Sequence, residues 1–257
     1  MDLELRGRVA VVTAGTRGLG HRVAQGLQAE GAHVVVVART ESDVMHVAEE
    51  LKSIGIAADL TSSADRKRVV TEVHRRLGPI DILINNLGLR AGSSWDDTGP
   101  AEFERAMEGN LHPAQDLTEQ TLPDMLERNW GRIVVIASIY GLEAGGAPAY
   151  NAAKAAELAW VTSRAASLAG SGVTLNAVAP GAMLYEGGSW HKRMQEDPAR
   201  IAEFVKNELP ANRFGTPEEV ASVVVFLSSK QASGVNGACV VVDGAQSRSL
   251  WLPAAQP

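Results

Sequence analysis

The chain has 257 residues, of which 45% are hydrophobic and 21% charged, as in an ordinary globular protein. Its net charge of −6 comes without a basic stripe, so nucleic acid is not an expected partner. The single cysteine, Cys239, excludes an intrachain disulfide and a cysteine metal cluster. His112 and His191 lack metal-ligand spacing, so we predict no metal site. No signal-peptide core and no apolar run near the ~18 residues of a membrane span are present, so we expect a cytoplasmic protein with no membrane partner.

Short β-branched runs alternate with longer helical patterns along the chain, which is typical of a doubly wound parallel sheet. The predicted strands are Val9–Thr13, His33–Ala38, Ala57–Asp59, Ile80–Asn85, Arg132–Ser138, Thr174–Ala179 and Cys239–Val242. The predicted helices lie near residues 18–30, 41–53, 63–76, 101–129, 150–169 and 217–228. We therefore predict an α/β protein with about seven parallel strands and helices on both faces of the sheet.

Two features interrupt this alternation. Pro123 predicts a bend or local irregularity inside the fourth helix. Residues 182–210 are rich in glycine and tryptophan and show no clear helix or strand, so we expect a long irregular segment there. A segment of this length in a compact domain is often a lid or binding loop, and Gly187-Gly188 would give it flexibility.

The segment TAGTRGLG follows the first predicted strand and opens the first helix. Glycines there let the backbone approach a pyrophosphate at the helix N-terminus, although a plain strand-to-helix turn would use glycine too. The segment resembles the TGxxxGxG fingerprint of the short-chain dehydrogenase/reductase family, whose fold is a single Rossmann-type domain. Ala14 stands where the family has glycine, so we expect Gly15 to supply the positive φ one residue later. The resemblance assigns Gly18, Leu19 and Gly20 to the phosphate site.

The end of the second strand indicates which dinucleotide binds. An acidic residue there would accept hydrogen bonds from the ribose hydroxyls and favour NAD, but the chain has Ala38 followed by Arg39. Arg17 adds a second cation in the glycine-rich turn. Two arginines would attract a 2′-phosphate, so we predict NADP(H) as the cofactor, the alternative being two solvated surface arginines.

The resemblance covers residues 6–245 and implies further cofactor contacts. Leu87 in NNLG replaces the family's small alanine and is expected to displace the cofactor or the next loop slightly. Tyr185 replaces a threonine or serine, which leaves the usual hydroxyl contact to the nicotinamide amide open. The implied contacts are Asp59 and Leu60 at the adenine, Asn86 and Gly88 beneath the cofactor, and Pro180 and Gly181 at the nicotinamide. The resemblance also divides one domain, 1–257, into a cofactor half (about 6–110) and a catalytic and substrate half (about 111–247).

Tyr150 and Lys154 are four residues apart, which places them on one face of a helix, and Ser138 ends a strongly apolar strand twelve residues before Tyr150. A lone YxxxK also occurs by chance as an exposed pair, but these three match the family's catalytic set, and Asn110 matches its fourth member. A free phenol keeps its proton to about pH 10, whereas a cation ~4 Å away stabilises the phenolate by roughly 4 kcal/mol. Lys154 would thus help Tyr150 to exchange a proton with the substrate oxygen, while Ser138 stabilises that oxygen. The resemblance adds that Lys154 and Tyr150 contact the cofactor and that Asn110 supports a water.

Five loop residues are candidates for the substrate pocket, and their apolar or aromatic character predicts a hydrophobic ketone; they are Trp95, Tyr140, Leu142, Met183 and Trp190. The chain most resembles reductases of the 3-oxoacyl-carrier-protein type, which implies NADPH-dependent reduction of a ketone, and the family implies a homotetramer. One alternative is an NADP⁺-dependent dehydrogenase of a secondary-metabolite alcohol. Another is an inactive dinucleotide-binding module that regulates a partner, against which the intact Ser138, Tyr150 and Lys154 set argues.

Overall fold

The structure, a computed structural model, describes residues 2–249. Within them one sheet contains seven parallel strands in the order β3-β2-β1-β4-β5-β6-β7. The strands are β1 (Val9–Thr13), β2 (His33–Ala38), β3 (Ile54–Ala57), β4 (Ile82–Asn85), β5 (Gly131–Ile136), β6 (Val173–Pro180) and β7 (Cys239–Val242). In the sheet, β2 and β3 lie on one side of β1, and β4 to β7 lie on its other side. The carboxyl ends of β1 and β4 therefore border the crevice in which such sheets bind ligands.

Helices cover both faces of the sheet. They are α1 (Gly18–Ala29), α2 (Glu41–Glu50), α3 (Ser63–Leu77), α4 (Pro100–Gly109), α5 (Leu111–Glu127), α6 (Pro148–Ser167), α7 (Ser189–Glu196), α8 (Pro198–Glu208) and α9 (Pro217–Leu227), with short 3₁₀ helices at Ile139–Gly141 and Lys230–Ala232. Helices α3, α5 and α6 pack on one face, and α1, α2 and α9 pack on the other. The predicted doubly wound α/β fold is thereby confirmed.

The strands are apolar at nearly every position because both of their faces are buried. In β1, Val9 and Val11 face the α3–α5–α6 layer, whereas Ala10 and Val12 face the α1–α2–α9 layer. No helix within residues 2–249 is long and apolar enough to cross a membrane.

The fourth predicted helix is two helices, which corrects the continuous helix expected over 101–129. The break falls at Asn110, whose backbone has φ −127° and ψ −72°, and not at Pro123, which lies inside α5. Asn110 is buried, and its amide Nδ2 donates to the backbone oxygens of Leu89 and Ala106. At the break, the buried side-chain amide of Asn110 therefore makes a hydrogen bond to the loop after β4.

The segment 182–210 is mostly helical, so the prediction of a long irregular stretch is wrong. Helices α7 and α8 fill it, with Pro198 beginning α8 and the side chain of Asp197 capping it. A small core of their own holds them together, formed by buried Ala182, Ile201, Leu209 and Phe214 with partly buried neighbours such as Trp190 and Phe204. An isolated parallel bridge between Met183 and Gly215 joins the start of this segment, which we call the lid segment after the expectation above, to the residues just before α9.

The third strand lies earlier than predicted, at Ile54–Ala57 instead of Ala57–Asp59. Ala58 bonds through its backbone nitrogen to the carbonyl oxygen of Ala38 at 2.8 Å, and the chain then turns towards α3. This early end leaves Asp59 and Leu60 in the loop at the carboxyl edge of the sheet.

Candidate active site

The hydroxyl of Thr13 fastens the glycine-rich turn after β1 to the end of β4. It donates to the carbonyl oxygen of Ile84 at 3.1 Å and accepts from the backbone nitrogens of Asn86 at 2.7 Å and Leu87 at 3.0 Å. The Asn86 side chain in turn donates to the backbone oxygens of Thr13 at 3.0 Å and Ala14 at 3.2 Å. The two strand ends therefore form one unit, and Leu87 packs half-buried against the core behind it.

Ala14 itself has a positive φ, at 48°, so the expectation that Gly15 would supply it is wrong; Gly18 is the other residue of this turn with a positive φ. Gly15 is required for space, because a Cβ there would lie 3.0 Å from the carbonyl oxygen of Val12 and 3.0 Å from Cγ1 of Val36. Gly20 is tighter still, since its Cβ would lie 2.4 Å from the carbonyl oxygen of Ala14. The left-handed conformation costs a non-glycine residue about 1–2 kcal/mol, so Ala14 carries local strain.

A cavity at the carboxyl ends of β1 and β2 brings together five predicted cofactor residues, namely Arg17, Arg39, Asp59, Leu60 and Gly88. Both arginines are exposed, and neither side chain has a hydrogen-bond or ion-pair partner within residues 2–249. Asp43, in the first turn of α2, lines the same cavity and was not predicted. The cavity thus offers two cations without partners at the place where the adenosine ribose is expected.

A second cavity of about 300 Å³ adjoins the first, with three lining residues in common, and contains the predicted catalytic groups. Ser138 follows β5, and its Oγ accepts from the backbone nitrogen of Tyr140 at 3.2 Å. Tyr150 and Lys154 lie one turn apart on α6, with Lys154 Nζ 5.7 Å from the centre of the Tyr150 ring. All three line this cavity, as the spacing of Ser138, Tyr150 and Lys154 predicted.

Lys154 is fully buried and has a partner that sequence reasoning missed. Its Nζ donates to the carbonyl oxygen of Ile136 at 2.8 Å and to the two carboxylate oxygens of Glu157 at 2.9 and 3.1 Å. Burial acts to lower the pKa of Lys154, but the charge of Glu157, its hydrogen bond and the neighbouring Tyr150 together outweigh burial and raise that pKa. Burial raises the pKa of Glu157 itself, and Lys154 offsets part of that rise. The i,i+3 spacing of Lys154 and Glu157 on an alanine-rich helix is the signal that could have revealed the pair.

Asn110 lies next to the catalytic cavity without lining it. Its Oδ1 accepts from the backbone nitrogen of Leu89 at 3.3 Å, and its Nδ2 donates to the carbonyl oxygen of Leu89 at 2.8 Å. A Cβ on Gly88 would lie 3.5 Å from Asn110 Oδ1 and 3.8 Å from Lys154 Nζ. Gly88 therefore separates Asn110 from Lys154, and the amide of Asn110 fixes the loop that carries this glycine.

The far wall of the cavity comes from the end of β6. Pro180 and Gly181 both line it, together with Leu19, Gly20 and Asn86 from the cofactor side. Gln246, which was not predicted, lines it as well, and its Oε1 accepts from the backbone nitrogen of Ala182 at 2.7 Å.

Tyr185, at the base of the lid segment, lies across the glycine-rich turn. A Cβ on Gly18 would lie 2.6 Å from Cε2 of the Tyr185 ring, and Gly18 has a φ of 52°. Where the family has a small hydroxyl side chain, this protein therefore has an aromatic ring against the turn.

Three of the five predicted substrate residues line the catalytic cavity, namely Tyr140, Met183 and Trp190. The structure does not bring the other two there. Trp95 is 76% exposed in the loop before α4, and Leu142 follows the 3₁₀ helix with its carbonyl oxygen bonded to Ser249 Oγ. Arg90, which was not predicted, lines the cavity with its guanidinium carbon 5.3 Å from the centre of the Tyr150 ring.

The residues of the two adjoining cavities fit a nicotinamide dinucleotide. The N-terminus of α1 has no side-chain cap, so its first backbone N–H groups are available to a phosphate. Gly20 leaves no room for a Cβ at that helix start, so α1 begins in close contact with the backbone of the glycine-rich turn. Arg17 and Arg39 would hold the adenosine end, and Lys154, Pro180 and Gly181 border the other end.

Comparisons with known proteins agree with this geometry. Residues 13–245 match a family model described as enoyl-(acyl carrier protein) reductase. The chain is 32% identical over 251 residues to the 3-oxoacyl-[acyl-carrier-protein] reductase of Aquifex aeolicus, covering 95% of this chain and 99% of that protein. It is 29% identical to L-sorbose reductase from Gluconobacter frateurii, solved with NADPH and L-sorbose, with a TM-score of 0.92 over 97% of this chain and 100% of that one. It is 30% identical to an NADP-bound 3-oxoacyl (acyl-carrier-protein) reductase from Agrobacterium tumefaciens, with a TM-score of 0.88 over 95% of each chain. The chain therefore belongs to the short-chain dehydrogenase/reductase family of oxidoreductases.

Proposed function

We propose that this protein is an NADP(H)-dependent reductase that converts a ketone to a secondary alcohol. The observation that carries the proposal is one cavity lined by Ser138, Tyr150 and Lys154 and adjoining a second cavity bordered by Arg17 and Arg39. This places a proton donor, its activating cation and an oxygen ligand beside a site for a phosphorylated dinucleotide.

The side chains of the cavity have complementary tasks in this reaction. NADPH, when bound, supplies the hydride that the carbonyl carbon receives. Tyr150 donates its phenolic proton to the carbonyl oxygen, and Ser138 Oγ donates a hydrogen bond to the same oxygen. The cation of Lys154 stabilises the phenolate that remains, and Glu157 keeps that buried cation protonated. Asn110 fixes the loop of Gly88 beside Lys154.

The preference for NADP(H) over NAD(H) rests on Arg39 and Arg17. Because neither arginine has a carboxylate partner within residues 2–249, both remain available to a 2′-phosphate. Ala38 stands where an acid would favour NAD, and the NADPH- and NADP-bound relatives point the same way.

The expected substrate is a ketone of moderate size whose apolar part packs on Met183 and Trp190. The 3-oxoacyl-carrier-protein reductases among the relatives support a 3-oxoacyl-type carbonyl. The same residues would catalyse the reverse reaction, NADP⁺-dependent oxidation of a secondary alcohol, and relative turnover in the two directions across one substrate panel separates these functions. A regulatory binding module has no use for the buried cation beside Tyr150, so we do not favour it.

We further propose one domain over 1–257, acting in the cytoplasm as a homotetramer. Ala155 and Ala159 are exposed on α6, and Trp160 is half-buried beside them, a small-residue surface suited to close packing of a second helix. Multi-angle light scattering tests the assembly, and a monomer at micromolar concentration would refute it.

A ketone panel tests the proposed reaction directly. Purified protein is titrated with NADPH and NADH by cofactor fluorescence, and NADPH oxidation is then followed at pH 7 with the panel. We expect tighter NADPH binding and turnover with a subset of ketones that requires Tyr150. A protein that binds neither dinucleotide, or that turns over no ketone or alcohol, contradicts the proposal.

A further inference from the structure

The catalytic cavity has an unexplained cation next to its proton donor. Arg90 follows β4 in the loop before α4, and its guanidinium carbon lies 5.3 Å from the centre of the Tyr150 ring. It lines the cavity, and within residues 2–249 its side chain has no hydrogen-bond or ion-pair partner. The mechanism derived for Tyr150 assigns no task to this arginine.

The walls of the cavity carry no compensating acid. Among the described residues that line it are Arg17, Arg90 and Lys154, but no aspartate or glutamate. The chain as a whole has 30 acidic and 24 basic residues, so a cavity lined by cations alone departs from its composition. Lys154 forms an ion pair with Glu157, and Arg17 also lines the neighbouring cavity in which the adenosine is expected. Arg90 is thus the cation left uncompensated beside Tyr150.

A second arginine reinforces the positive charge on the lid side. Arg193 on α7 has its guanidinium carbon 5.0 Å from the centre of the Trp190 ring. Burial raises the pKa of the Tyr140 phenol, and Arg90 and Arg193 both act to lower it. Two cations, Arg90 in the cavity wall and Arg193 on α7, therefore lie near Tyr140.

The nearby acid is engaged elsewhere. Glu143 also acts on Tyr140, but its Oε2 accepts from Ser247 Oγ and from the backbone nitrogen of Arg248, both at 2.9 Å. Its charge is held by the C-terminal segment and does not line the catalytic cavity. Glu143 therefore does not pair with the guanidinium of Arg90, which remains available to bind an anion.

We propose that the natural substrate is a short keto acid whose carboxylate binds Arg90 while its carbonyl faces Tyr150 and Ser138. This inference rests on the proposed function and names its substrate class. A guanidinium binds a carboxylate with two parallel hydrogen bonds, which would fix the orientation of the carbonyl as well as add affinity. The carbonyl carbon receives the hydride of NADPH and its oxygen the proton of Tyr150, giving a hydroxy acid and NADP⁺ with the carboxylate unchanged. The apolar chain of the acid would pack on Met183 and Trp190.

A matched pair of substrates tests the proposal, namely a short 3-oxo acid and its neutral methyl ester. We expect the parent enzyme to prefer the acid at least tenfold in kcat/KM. Arg90→Gln should abolish most of that preference, Arg90→Lys should restore part of it, and NADPH affinity should stay unchanged. Arg75→Gln, which removes an exposed arginine without an ion pair on α3, is the matched control and should keep the full preference.

Ionic strength provides a second readout. The KM of the parent enzyme for the acid should rise with added salt, whereas its KM for the ester should not, because screening weakens only the charged contact. Equal use of acid and ester by the parent, or an equal loss on both in Arg90→Gln, overturns the keto-acid proposal. If the parent reduces neutral ketones but no keto acid, the substrate class is wrong and the proposed function stands. If it reduces no ketone at all, the proposed function fails as well.

Discussion

Lys154 and Glu157 form a fully buried ion pair one turn apart on α6, with the lysine Nζ 2.9 Å from the nearer carboxylate oxygen. The same Nζ lies 5.7 Å from the centre of the ring of Tyr150, the proposed proton donor. A buried lysine without a counterion tends to lose its proton, and Glu157 prevents this. The acid behind the lysine thus has consequences for both stability and activity.

Removal of one partner of this pair should destabilise the protein more than removal of both. Glu157→Gln leaves a buried charge unpaired, for which we expect a loss of about 3–5 kcal/mol. The double variant Lys154→Met with Glu157→Leu should regain most of that stability yet remain inactive. Urea unfolding of the parent, the two single variants and the double variant measures the coupling. A double variant as unstable as Glu157→Gln would contradict this account.

The pair also predicts a pH dependence. The pKa of Lys154 is raised in the folded protein, so its contribution to stability is fully present below its unfolded pKa of about 10.4 and is lost as pH rises through the folded value. The stability difference between the parent and the apolar double variant should therefore hold to about pH 10 and shrink above it. Thermal unfolding from pH 7 to pH 11 measures this difference, and a difference that shrinks between pH 7 and 9 would refute it.

Arg39→Asp should erase or reverse the cofactor preference. We expect the parent protein to bind NADPH at least tenfold more tightly than NADH, about 1.4 kcal/mol, because two unpaired arginines border the adenosine cavity. Arg17→Gln should weaken NADPH binding more than NADH binding, and Arg75→Gln should affect neither. Isothermal titration with both dinucleotides measures these constants, and equal affinities in the parent would remove the role assigned to the two arginines.

The glycine-rich turn should tolerate glycine at position 14 but not alanine at position 20. Ala14→Gly relieves a strained φ of 48°, so we expect unchanged NADPH affinity and stability equal to the parent's or up to about 1 kcal/mol higher. Gly20→Ala would place a Cβ 2.4 Å from the carbonyl oxygen of Ala14, which forces the turn to move. Its NADPH affinity should fall at least tenfold. Unchanged NADPH affinity in Gly20→Ala would contradict this prediction and show that the turn can accommodate a Cβ at position 20.

Trp190 and Trp95 allow a matched test of the substrate pocket. Trp190 lines the catalytic cavity and stacks on Phe204 with ring centres 4.4 Å apart, whereas Trp95 is 76% exposed outside it. Trp190→Ala should raise KM for the ketone severalfold with little change in NADPH affinity, and Trp95→Ala should leave KM unchanged. Steady-state kinetics on several substrates measures both. The opposite ranking would mean that the loop of Trp95 reaches the substrate.

Tyr150→Phe should abolish turnover without affecting the fold. The substitution keeps the ring beside Arg90 and Lys154 but removes the hydroxyl that exchanges the proton. We expect kcat to fall at least ~10²-fold, with the circular dichroism spectrum and NADPH binding retained. Ser138→Ala should lose less, because a water can replace part of its hydrogen bond. A Tyr150→Phe variant with near-parent kcat would exclude the proposed mechanism.

Sequence patterns predicted the sheet and the proximity of Tyr150 and Lys154 because both depend on regular spacing. Continuous β-branched runs mark strands buried on two faces, and an i,i+4 pair such as Tyr150 and Lys154 shares a helix face wherever that helix packs. The break at Asn110 gave no such signal, since apolar residues continue on both sides of it and the buried amide contacts with Leu89 and Ala106 appear only in the folded structure.

Positions that depend on contacts between residues far apart in the sequence show no regular spacing and were also missed. Gly15 and Ala14 look equivalent as turn residues, and only the proximity of β2 shows why the glycine must be at 15. The sequence alone suggests that Arg90 is a solvent-exposed loop arginine, and only the structure shows that it lies beside Tyr150 on α6. Helices α7 and α8 pack around a small aromatic core in which Trp190 contacts Phe204 and Phe214, two residues that follow it much later in the chain.

The ring of Tyr185 lies against Gly18 of the glycine-rich turn and also lines the catalytic cavity, as Trp190 does. Tyr185 belongs to the same segment as Trp190, so we expect the ring on the glycine-rich turn and the ring in the substrate pocket to move together. A dinucleotide bound on that turn should then leave only after this segment has moved away, which would also open the substrate pocket. This predicts an ordered reaction in which the coenzyme binds first and leaves last. In product-inhibition experiments, NADP⁺ should compete with NADPH, while the alcohol product should be non-competitive towards it.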